Sequence, residues 1–317
     1  MRKRIDQLTR ITILLSLGLI GCEPPETNSP AGDTPKVVTT TTLITDWTDN
    51  IGGDNIELIG LLEAGDDPHV YEPVPQDRQN IEEADLILYN GYDLEPELIK
   101  IIAGASDNTR QFAVGEVISP LDESAMEEGE SDFAPDPHVW GDVENVIVMV
   151  EAIAEELATL SPENEAVYQE NLEEYTTELR ELHDWIEEQI ETIPPENRKL
   201  VTTHDAFQYY AEAYGLEVMG TLIGISTEEQ PSAQTVSRLT ETVRETNVPT
   251  IFTEALINPR LIETVAEEVE VELAEEELYG DALGKTGSKG DTYIKMMEAN
   301  TRTLVTNLGG EYSPFQE

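Results

Sequence analysis

From Lys36 onward, short β-branched runs alternate with stretches whose apolar positions recur at helical spacing. "KVVTTTTLI" (36–44) and "IELIGLL" (56–62) predict strands around a helix at "TDWTDNIGG" (45–53). A helix through "QDRQNIEEA", the strand "DLILYNG" and a helix at "EPELIKIIAGA" follow. Beyond a polar, acidic stretch, "GDVENVIVMVEAIAEELATL" (141–160) predicts a strong helix. Residues 161–193 then stay helical for about nine turns from a Ser-Pro entry, with no internal Gly or Pro, until "PPENR" stops them. That is long for a crossover helix and suits a strut. The alternation resumes with "KLVTT" (199–203), "EVMGTL" (217–222), "VPTIFTE" (248–254) and "VEVELA" (269–274) as strands, each followed by a helical or glycine-rich segment. The fold class expected is α/β. It has two Rossmann-like lobes with mainly parallel sheets, residues 36–160 and 196–317, joined by one long rigid helix at 161–195. Ligands of open α/β sheets bind at the carboxyl ends of the strands, so an inter-lobe cleft is the expected site.

Composition adds habitat and address. The formal net charge is −48, from 66 acidic against 18 basic side chains, which repels a phosphate backbone and excludes nucleic acid as a partner. Runs such as "EEVEVELAEEE" coat whole helical faces, so the charge reads as the hydrated surface of a halophile. At high salt the Debye length is about 3 Å, which leaves little long-range steering of a ligand. "MRKR" followed by the short apolar run "ITILLSLGLIGC" predicts an export signal at residues 1–21. The single cysteine, Cys22, excludes an intrachain disulfide, and "LIGC" resembles a bacterial lipobox whose cysteine is acylated. The Pro/Ser/Gly-rich residues 22–35 read as a flexible tether, placing an exported protein on a membrane surface through a lipid on Cys22.

The chain holds four histidines, and two share one frame: "DPHVY" at 67–71 and "DPHVW" at 136–140. Each proline fixes its own φ and extends the residue before it, so the imidazole projects from a stiffened backbone. His69 follows one predicted strand, His204 follows "KLVTT" directly, and His138 lies in the loop closing the first lobe. His183 sits on the long helix and reads as a packing residue. A ring that keeps one nitrogen on a metal needs such rigidity and a partner on its other nitrogen. The loops offer no Ser or Cys elbow for nucleophilic catalysis. Asp281 in "LYGDALG", Glu254 in "IFTEALI" and Asp205 beside His204 are candidates for a fourth ligand. Asp205 is also placed to cap the next helix, and Glu254 to back a histidine.

"DDPHVYEP", "DPHVW", "THDAFQYYAEAYGLEVMG", "GDALG" and "GDTYIKMMEAN" resemble the motifs of the solute-binding lipoproteins of manganese/zinc ABC importers, over essentially all of the chain from Val37 on. The resemblance implies metal ligands His69, His138, His204 and Asp281, two from each lobe. It also implies two α/β lobes tied by one rigid helix, a permease and its ATPase as partners, and a monomer. Members dedicated to zinc carry a His-rich loop where residues 120–137 here hold no histidine before His138. Three imidazoles and a carboxylate suit Zn²⁺ by intrinsic affinity, whereas the resemblance and the missing His-rich loop favour Mn²⁺. The expectation is capture of one divalent ion, Mn²⁺ or Zn²⁺, without catalysis. The rival readings are a zinc hydrolase with Glu254 as base and a surface adhesin.

Overall fold

The computed structural model describes residues 34–106, 109–121 and 135–316. The expected export signal, Cys22 and nearly all of the tether lie outside those residues, as does most of the acidic stretch before His138. Among the described residues no helix is long and apolar enough to cross a membrane.

Strands β1 (Lys36–Thr39), β2 (Glu57–Gly60), β3 (Leu86–Tyr89) and β4 (Arg110–Ala113) form a parallel sheet in the order β2-β1-β3-β4. Helices α1 (Thr42–Gly52), α2 (Pro75–Glu83) and α3 (Pro96–Ile102) connect them. β1 is shorter than the sequence pattern suggests. Thr41 accepts the amide of Ile44 on its hydroxyl, so α1 starts inside the threonine run. β4 has no apolar alternation and was not expected; "RQFA" is an edge strand with its first two residues exposed.

Helix α4 (Val143–Leu160) leads through a turn at Pro162–Asn164 into α5 (Glu165–Glu191), 27 residues long. The Ser-Pro entry thus forms a 3₁₀ turn, and the long helix begins four residues later than its sequence implies. α5 is more than a strut. Tyr168, Tyr175, Leu179, Leu182, Ile186 and Ile190 recur at intervals of three, four or seven and are buried against α1, α4 and α9 (Tyr293–Asn307). Each fully buried leucine or isoleucine contributes about 1.5–3 kcal/mol of transfer free energy. One apolar core, from Trp47 and Leu88 to Phe252 and Leu304, runs through both α/β halves, and Thr34–Glu317 form one compact unit.

The second half repeats the first in fragments. β5 (Lys199–Thr202) pairs with β6 (Glu217–Thr221), with a register shift between Leu200 and Val201, and β7 (Thr250–Ile251) pairs with β8 (Glu272–Leu273). Phe252 N donates to Val201 O at 2.9 Å and sets the two pairs side by side as β6-β5-β7-β8, the counterpart of β2-β1-β3-β4. Helices α6 (Gln208–Tyr214), α7 (Ala233–Thr246) and α8 (Arg260–Val269) fill the connections. In α8 the buried face is Ile262, Val265 and Ala266, and Glu267 and Glu268 point to solvent. In each half the strand order reverses beside the first strand, β1 or β5.

Candidate metal centre

His204 leaves the end of β5 directly, and Thr202 fixes that corner by donating from its hydroxyl to His204 O at 2.8 Å. His69 lies in the loop after β2, where Asp67 Oδ1 accepts the His69 amide at 2.9 Å. His138 repeats that turn, its amide donating to Asp136 Oδ1 at 3.0 Å. The Asp-Pro-His frame is therefore a side-chain-closed turn, with proline stiffening it and aspartate fastening it. His138 lies in the loop that closes the first half, just before a 3₁₀ turn at Val139–Gly141. Asn90, at the end of β3, donates from Nδ2 to Pro137 O at 3.1 Å and fastens the frame there.

Asp281 arrives on an irregular loop, the last of the four. Trp140, the aromatic of the second frame, donates from its indole nitrogen to Gly280 O at 3.1 Å. A side chain at 280 would lie 3.0 Å from Glu254 Oε2 and 3.2 Å from His204 Cε1, so glycine permits that approach. Leu283 N donates to Thr42 Oγ1 at 2.9 Å, tying the loop to α1 on the opposite half.

These four side chains converge. One donor atom from each of His69, His138, His204 and Asp281 lies within 4.8 Å of the other three, and all four residues are buried. The Nε2 atoms of His138 and His204 lie 3.3 and 3.2 Å from Asp281 oxygens, that of His69 3.7 Å away, and His69 and His138 Nε2 are 3.3 Å apart. Donors about 2.1 Å from a common ion stand about 3.4 Å apart at tetrahedral angles, so the spacing fits one divalent cation. His204 Nε2 and Asp281 Oδ1 are buried yet make no hydrogen bond, which is the expected state of atoms reserved for a metal.

The outer nitrogens show how the rings are aimed. His138 Nδ1 donates to Asp136 Oδ1 at 2.6 Å, and His204 Nδ1 donates to Glu254, which also accepts the His204 amide at 2.8 Å. Each contact fixes the tautomer that leaves Nε2 free to ligate. No such partner meets His69 Nδ1 among the described residues. Glu254 thus accepts from both the ring and the amide of His204. Asp136 does the same for His138 and was not singled out, although its place two residues before a histidine was a visible signal. Asp205 is no part of the cluster and caps nothing; it accepts Gln208 Nε2 at 2.7 Å. His183 stands apart on α5, 3.2 Å from the Tyr214 hydroxyl.

Electrostatics divide the rings. Burial pushes His69 down to about 4, helped by the other two imidazoles and only partly opposed by Asp281. Burial also opposes charge on His138, yet Asp136 and Asp281 outweigh it and hold that ring at about 9. His204 is raised well above its ordinary value against the same burial, by Glu254 and Asp281. Burial would raise Asp281, but His204 and His138 hold its carboxyl well below the usual range. Asp136, Glu254 and Asp281 thus favour the protonated form of the two backed rings, and a cation binding at Nε2 would have to displace those protons.

A family model described as the periplasmic component A of a zinc-uptake complex matches residues 37–307. The manganese-binding lipoprotein MntA of Halalkalibacterium halodurans is 34% identical over 299 residues, covering 94% of this chain and 97% of its own. The manganese ABC transporter substrate-binding lipoprotein PsaA of Streptococcus pneumoniae is 33% identical over 305 residues, again 94% of this chain and 97% of its own. The periplasmic zinc-binding protein TroA from Treponema pallidum superposes with a TM-score of 0.80 at 33% identity, over 87% of this chain and 99% of that one.

Proposed function

The chain belongs to the zinc-uptake component A family, and from that premise we propose that it is the extracytoplasmic receptor of a metal ABC importer. It captures one divalent transition metal and presents it to a membrane permease driven by an ATPase. The observation that carries this reading is the closed set of four buried donors, two of whose imidazoles are backed by carboxylates. A catalytic metal site keeps a coordination position open for water, whereas four converging protein ligands close it. Glu254, the base a hydrolase would need, is spent on His204 Nδ1 and the His204 amide. The reading is therefore a receptor and not an enzyme.

We assign His69, His138, His204 and Asp281 as ligands through Nε2 and carboxylate oxygen, with Asp136 and Glu254 orienting the second and third rings. His69 and His138 come from residues 36–160 and the other two from 196–317, so the ion bridges the two lobes across the helix of 161–195. We assign Mn²⁺ as the cargo, since the relatives MntA and PsaA are manganese proteins by name, with Zn²⁺ competing through its greater intrinsic affinity. An acylated Cys22 would hold the receptor, as a monomer, at the outer face of the membrane. Metal analysis of protein purified without added ions, followed by Mn²⁺/Zn²⁺ competition, tests the reading. One ion per chain is expected, bound more weakly in His138→Ala. Unchanged stoichiometry and affinity in that variant would refute the ligand assignment.

A further inference from the structure

Asp67 has a second carboxylate oxygen, and its partner lies on the other half of the molecule. While Oδ1 accepts the His69 amide, Oδ2 accepts the Thr227 hydroxyl at 2.6 Å. Thr227 sits between β6 and α7, in a loop that is itself fastened on both sides of His204. Leu222 N and Ile223 N donate to Thr203 O at 3.1 and 2.9 Å, and Asp205 N donates to Gly224 O at 3.3 Å. A continuous path thus runs from the His69 backbone through Asp67, Thr227 and the 222–227 loop to the two neighbours of His204. Apart from the site side chains, this is the one hydrogen bond among the described residues that ties the His69 loop to the second half. The His69 ring also lacks the carboxylate that backs His138 and His204, so its aim depends on its backbone.

We propose that Thr227 is a positioning residue for metal retention: by latching Asp67 across the crevice it holds the His69 loop closed and sets how long the ion stays. The inference rests on the receptor reading above. The ion leaves only when one half withdraws its donors, and the latch is a bond that withdrawal must break. A hydrogen bond to a charged oxygen is among the stronger ones a loop can make. Losing it raises the dissociation rate while leaving the ligand atoms, and hence the coordination sphere, in place.

The experiment is chelator-driven release of Mn²⁺, followed by stopped flow, from wild type and from Thr227→Val, Thr227→Ala and Thr227→Ser. Valine and alanine should speed release roughly tenfold, and serine, which keeps the hydroxyl, should stay within about twofold of wild type. The Mn²⁺ electron paramagnetic resonance spectrum should not move. Rates for valine and alanine equal to wild type, or serine releasing as fast as valine, would overturn the latch while leaving the receptor reading intact. A wild-type protein that takes up no Mn²⁺ or Zn²⁺ would overturn both.

Discussion

The two Asp-Pro-His-Val-aromatic frames share a local fold and differ in almost everything around it. Both aspartates accept the amide of their histidine, so the same short sequence makes the same turn twice. In the second frame Val139 is fully buried, Asp136 backs the ring, and Trp140 reaches across to Gly280. In the first, Val70 is 48% exposed, Asp67 turns its free oxygen to Thr227, and the Tyr71 hydroxyl donates to Asp77 Oδ2 a few residues on. One frame is an anchor built into the core; the other is a gate at the rim. Local sequence sets the turn, and tertiary neighbours set what the turn is for.

Asp281 is the group both frames address, so its loss should erase their difference. Asp281→Ala is expected to weaken Mn²⁺ binding by at least about a hundredfold, the upper end of what loss of an outer partner alone costs, as read by competition titration. Proton linkage separates the frames most sharply. In metal-free protein the His69 ring should be neutral at pH 7 and the His138 ring charged, which histidine ¹⁵N NMR would read directly. Because metal must displace the protons of His138 and His204, affinity should rise with pH toward 9 by up to about a hundredfold per unit, two protons each worth tenfold.

Stability of the metal-free protein should run the other way. The two raised imidazoles stabilise the fold fully below the unfolded value near 6.5; the His138 contribution is lost as pH climbs through about 9, and that of His204 is likewise lost on the alkaline side. The buried Glu95, raised to about 7, and Asp46, raised to about 6, both through desolvation, have largely lost their protons by about pH 8. The fall in melting temperature above about pH 8 therefore reports on the site.

Asp136→Asn should cost roughly tenfold in equilibrium affinity by loosening the ring it aims, a smaller effect than loss of a ligand. Asp67→Asn should act mainly on release, since Asp67 fastens the His69 loop through its backbone and accepts no ring nitrogen. The aromatics give the smallest contrast. Trp140→Phe leaves the Gly280 carbonyl without its indole donor and should destabilise by about 1–3 kcal/mol in denaturant titrations. Tyr71→Phe should cost about 1 kcal/mol or less, because Asp77 keeps the Val74 amide as a donor.

The anchor was more legible in the sequence than the gate. Repeated proline-histidine frames mark candidate ligand loops in a single reading, and β-branched runs ending at His204 mark a strand end. The backing role of Glu254 was visible from its place at the end of "VPTIFTE". β4 was missed because an edge strand needs no apolar alternation, and β7 and β8 shrink to two residues each because the second sheet is held by isolated backbone bonds. Thr227 lies in "GISTEEQP", where nothing distinguishes a latch from any polar loop. Its meaning comes only from Asp67, 160 residues away. Contacts of that kind carry no local pattern.

The central claim is that one ion is held by imidazoles from both halves. A chain with a formal charge of −48 offers many carboxylates to Mn²⁺, so stoichiometry alone does not identify the site. X-ray absorption spectroscopy of the protein loaded with a single equivalent of Mn²⁺ does. The account predicts outer-shell scattering from three imidazoles together with carboxylate oxygen, diminished by one ring in His138→Ala. An all-oxygen shell, or a spectrum that His138→Ala leaves untouched, would contradict it.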